Sequence, residues 1–79
     1  MPLYYFDLRD GEELALDEES LELRAMRAVQ EEAARALAGF AGDAMRLEGA
    51  QSQRMAIEVR DEHGPVMEVK FSFEMARKP

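Results

Sequence analysis

Apolar and polar residues alternate along several stretches of this chain and recur every three to four positions along another. Near the start, Tyr4, Phe6 and Leu8 fall on one side and Tyr5, Asp7 and Arg9 on the other. Successive side chains of a strand point to opposite faces, so this spacing predicts a strand over about 3–9. Asp10-Gly11 follows as a tight-turn signal with positive φ expected at both positions, and a return strand over about 13–16 should pair back. Asp17-Glu18-Glu19-Ser20 ends the alternation and offers Ser20 as a helix cap. From about 22 to 47 there is no proline, and Met26, Val29, Ala33, Leu37, Phe40, Ala44 and Leu47 recur at helical spacing. One long amphipathic helix is expected there. Arg24, Arg27, Glu31, Arg35 and Arg46 should face water, with Glu31 and Arg35 paired one turn apart.

After a loop expected over about 49–53, Met55, Ile57 and Val59 alternate with Ala56, Glu58 and Arg60, which predicts a strand over about 54–61. Glu62-His63-Gly64-Pro65 makes a turn. Then Met67, Val69, Phe71, Phe73 and Met75 alternate with Glu68, Lys70, Ser72 and Glu74, a last strand over about 66–75. The element order is ββαββ. It implies an α+β domain: a four-stranded antiparallel sheet, in the order 2-1-3-4, with the helix packed on one face. Tyr4, Phe6, Phe71 and Phe73 lie in phase with the other apolar positions, so they are expected under the helix with Phe40 rather than stacked on bases.

With 79 residues the chain is one domain, of a size that buries only about 60% of its unfolded surface. It has no cysteine, so neither a disulfide nor a zinc–thiolate site can staple this small core. The last strand, an edge in the expected order, would then seek a second copy, because unpaired strand edges invite pairing. The formal net charge is −7. Residues 1–23 hold eight acids against the single base Arg9, which is the whole of that imbalance, and the remainder is neutral. An acidic chain disfavours nucleic acid as a ligand and favours a basic protein partner. No apolar run is long enough to span a bilayer, and the acidic start is unlike a secretory signal, so a cytoplasmic protein without a membrane role is expected.

The opening Leu3-Tyr4-Tyr5-Phe6-Asp7-Leu8-Arg9-Asp10-Gly11, the Asp17-Glu18-Glu19 stretch, the Ala-rich helix and Met55-Ala56-Ile57-Glu58-Val59-Arg60-Asp61 together resemble a family of short bacterial domains of unknown function. Its members share a YYFDLRDG-like opening and an AIEVRDExG segment. The chain departs from that pattern at Ser20, where Gly is expected, and at Ala25, where a capping Asp is expected. The resemblance implies no activity and no catalytic residues. The layout is also similar to antitoxin-like domains, whose acidic chains neutralise a basic toxin.

The lone His63 lies in a turn, without a nucleophile or carboxylates drawn toward it by spacing. The acids Asp7, Asp10, Asp17, Glu18 and Glu19 could in principle hold a hard cation, but they lack the order of a calcium loop, and Arg9 falls among them. No metal, cofactor or catalytic residue is therefore assigned. The expected role is a non-catalytic protein-interaction or regulatory module with an acidic N-terminal hairpin, and its candidate partner-binding residues are Tyr5, Asp7, Asp17, Glu18 and Glu19. The alternatives are a domain that binds a small molecule or a divalent metal, or an antitoxin-like partner of a basic protein.

Overall fold

The computed structural model describes residues 2–47, 49 and 51–78. Its elements run β1 (Leu3–Asp10), β2 (Glu13–Ala15), β3 (Leu21–Glu22), α1 (Met26–Arg46), β4 (Ser52–Asp61) and β5 (Gly64–Glu74). The sheet is antiparallel throughout, in the order β2-β1-β4-β5, with β3 pairing β1 as well. The four expected strands thus stand in the expected spatial order, and β3 is an addition to them.

That addition corrects the helix start. Leu21 and Glu22 sit opposite Tyr4 and Leu3 of β1, so they are held in extended backbone, and α1 begins only at Met26. Its N-terminal flank is Ala25, which makes no side-chain cap, and Ser20 lies well before the first turn. Leu47, expected as the last helical residue, is the cap beyond Arg46.

The two hairpins close differently from expectation. Asp10 pairs with Glu13, so the two loop residues are Gly11 and Glu12. Only Gly11 has positive φ, +62°, as in a turn of the II′ kind with glycine at its first central position. Between β4 and β5 the loop shrinks to Glu62 and His63, and Gly64, at φ +119°, already begins the strand. Of the loop expected over 49–53, Ala50 lies outside the described residues, and Ser52 and Gln53 already belong to β4. β4 and β5 slip by one residue between Val59/Arg60, leaving Val66 as a bulge.

The core is the space between α1 and the sheet. Val29, Ala33, Leu37, Ala41 and Ala44 pack from the helix against Tyr4, Met55, Ile57 and Val59. Three of the five helix residues in that stripe are alanines. Phe40 stays 43% exposed, and Met26 and Leu47 are exposed too, which corrects their expected place in the core. Phe6, Phe71 and Phe73 are half-buried and Tyr4 is buried. Arg24, Arg27, Glu31, Arg35 and Arg46 face water as expected, but Glu31 pairs with Arg27 (3.4 Å) and Arg35 with the half-buried Glu32 (2.8 Å) rather than with each other. Added side chains at Gly39 would meet nothing, so that glycine serves no close packing.

Candidate functional site

The face of the sheet turned away from α1 carries the charged half of each alternation. Across it, register places Asp7 opposite Glu58 and Glu58 opposite Glu68, a row of three like charges that would repel if left alone. Each is matched by a cation on the same face. Arg60 binds Asp7, Arg9 binds Glu58 through its Nε, and Lys70 lies 3.4 Å from Glu68. The hydrogen bond from Arg9 to Glu58 is the main cause that raises the arginine pKa further above its ordinary value, so Arg9 stays charged wherever the protein is folded. Ala56, opposite both Arg9 and Lys70, is buried beneath this layer.

Asp7 is the one buried charged residue among those described, at 4% exposure. Burying a carboxylate is costly unless it is paired and hydrogen-bonded, and Asp7 is both. The Arg60 guanidinium donates Nε–H to Oδ2 at 2.9 Å and Nη2–H to Oδ1 at 3.4 Å, and the Asp17 amide donates to Oδ1 at 2.9 Å. The same guanidinium lies 4.2 Å from the centre of the Tyr5 ring and donates to the Asp17 carbonyl at 3.4 Å. Asp17 completes the network. Its carboxylate accepts the Phe6 amide at 3.0 Å and the Glu19 amide at 3.0 Å.

The position of Asp17 explains that pattern. β2 covers one end of β1's outer edge and β3 covers the other, with residues 16–20 between them out of the ladder. In that gap the Phe6 amide lacks a strand partner, and the Asp17 side chain supplies one. Asp7 and Asp17 therefore act as a clamp that fastens the 16–20 segment to β1.

The structure separates the five residues proposed from the sequence. Tyr5 is half-buried under Arg60, and Asp7 and Asp17 spend their carboxylates inside the clamp. Glu18 and Glu19 are exposed. Three further exposed acids, Glu12, Glu13 and Glu22, line the same edge, as do three exposed leucines: Leu14 (42%), Leu16 (62%) and Leu21 (42%). The leucines were missed because alternation around residues 13–16 reads as an ordinary strand with one apolar side. The register puts Leu14 opposite Arg9, on the face turned away from α1, and Leu21 opposite Tyr4, on the helix side of the outer strand, and both stay exposed there.

His63 is exposed, and its amide donates to Asp61 at 2.8 Å, which makes it a turn residue. No group of three or more potential metal ligands converges among the described residues. No helix of the described residues is long and apolar enough to cross a membrane.

No curated protein and no solved structure matches the chain. One family model does, over residues 3–72, and it takes in both hairpins, the clamp and the helix. By that match the chain belongs to the family described as Domain of unknown function (DUF6894).

Proposed function

We propose that this domain is a non-catalytic protein-interaction module that presents the β2–β3 edge to a basic protein partner. The observation that carries the reading is the make-up of that edge. Glu12, Glu13, Glu18, Glu19 and Glu22 are exposed, none of them has an ion-pair partner among the described residues, and exposed leucines stand along the same edge: Leu14 opposite Arg9 on the outer face, Leu21 opposite Tyr4 on the helix side, and Leu16 in the segment between them. Apolar anchors surrounded by charge of one sign suit a partner with a basic rim and an apolar centre, since the charge steers encounter and the buried side chains supply affinity. The reading as a divalent-metal site finds less support, because the carboxylates that stand in a row are those already matched by Arg60, Arg9 and Lys70.

The test is recovery of the tagged protein from its own host at low salt beside a variant carrying Glu12→Gln, Glu13→Gln, Glu18→Gln and Glu19→Gln. Asp17 is left intact so that the clamp persists. A basic protein captured by the native chain, released by salt and lost with the variant supports the proposal. Equal capture by both chains overturns it.

A further inference from the structure

At the opposite edge of the sheet, β5 pairs with β4 along one side and, among the described residues, with no strand along the other. An eleven-residue strand with one side of its backbone unpaired is a template for another strand. We infer that this edge joins a second copy of the chain, antiparallel about a two-fold axis at Val69, to form one continuous sheet.

The register follows from charge. A two-fold axis perpendicular to the sheet keeps both helices on one face, and it then places residues of the same face opposite each other. Centred on Val69, Glu68 meets Lys70 of the second copy and Lys70 meets its Glu68, while Met67 meets Phe71 on the helix face. The regular ladder runs from Met67 to Phe71, with the bulge at Val66 just beyond it. Centring on Glu68 or Lys70 sets that residue against its own copy, and centring on Phe71 sets Glu68 against Glu74. Centring on Ser72 pairs Lys70 with Glu74, but it sets Met67 and Val69 against residues beyond the end of the strand and leaves their open sides uncovered.

Packing allows the arrangement. Met67, Val69 and Phe71 are half-buried in the single chain, so the second copy would cover their open sides. Helix α1 lies over β4 and β5, two to three strand spacings from its copy, or about 10–14 Å. Two helices pack side by side at about 8–10 Å, so they fit without overlap.

Sedimentation equilibrium at physiological salt tests the inference with four chains: native, Glu68→Lys, Lys70→Glu, and the double exchange. The native chain should dimerise at tens of micromolar. Each single reversal should weaken the dimer by about tenfold or more, and the double exchange should restore it to within a few-fold. A native chain that stays monomeric, or a double exchange no better than the singles, overturns the proposal. Insensitivity to Glu68→Lys alone overturns the Val69 register. Because the chain has no cysteine, Val69→Cys and Ser72→Cys provide a check that does not depend on charge. Opposed strand residues lie within disulfide reach, so oxidation should link Val69→Cys, whereas copies of residue 72 would be about 20 Å apart and stay unlinked. Linkage at 72 and not at 69 overturns the register, and linkage at neither overturns the dimer.

Discussion

The two edges of this sheet solve the problem of an unpaired strand in opposite ways. At the β2–β3 edge the ladder is broken, and a side chain stands in for the missing strand: Asp17 accepts the Phe6 amide, and Asp7 with Arg60 holds Asp17 in place. At the β5 edge the ladder is long, interrupted only by the bulge at Val66, and its charges alternate in sign. The first edge is finished within the chain and turns only unpaired acids and leucines outward. The second is left open with backbone groups still to be satisfied. The difference teaches that a local break, which weakens a strand as a template, frees the same stretch to serve as a side-chain surface.

Breaking the clamp should cost most. Asp7→Ala strands the Arg60 guanidinium and removes the acceptor of the Asp17 amide, and with Arg60 more than a third exposed the loss should be about 2–3 kcal/mol, read from denaturant midpoints. Asp17→Ala leaves the Asp7–Arg60 pair intact but deprives the Phe6 amide, and a loss of about 1–2 kcal/mol is expected. Hydrogen exchange at Phe6 should accelerate in that variant, while amides shared by β4 and β5 keep their protection. A uniform acceleration would show that the clamp is not local to its edge. The smallest effect belongs to Glu18→Gln with Glu19→Gln, whose carboxylates accept no hydrogen bond among the described residues, and stability should change by less than about 0.5 kcal/mol. A larger loss there would erase the distinction between the clamp and the surface.

Periodicity made the larger elements legible: β1, β4, β5 and most of α1 follow from which side of each turn or pleat is apolar. What stayed hidden depends on partners distant in the chain. β3 is two residues long and is extended only because β1 lies beside it. Phe40 has the phase of a core residue yet stays largely exposed, because phase along a helix does not say how far the sheet beneath it extends. The candidate site divides along the same line. Asp7, Asp17, Glu18 and Glu19 read alike as acids near a turn, and only the register that brings Arg60 to Tyr5 and Asp7 separates two that hold the fold from two that face outward.

The pairing of β1 with β4 also bears on how the chain assembles. β4 and β5 are joined by a two-residue loop and can zip locally, whereas Tyr5 to Asp10 must find Arg60 to Met55 across the intervening chain. Closing so long a loop spends entropy before any contact repays it. Both two-residue hairpins, β1–β2 and β4–β5, are thus expected to form early, and the docking of β1 on β4 is expected to be the later, slower step that completes the sheet. The clamp on residues 16–20 needs Arg60 of β4, so that part of the acidic edge takes its final form only when β1 docks on β4, and a partner that reads it reads the completed sheet.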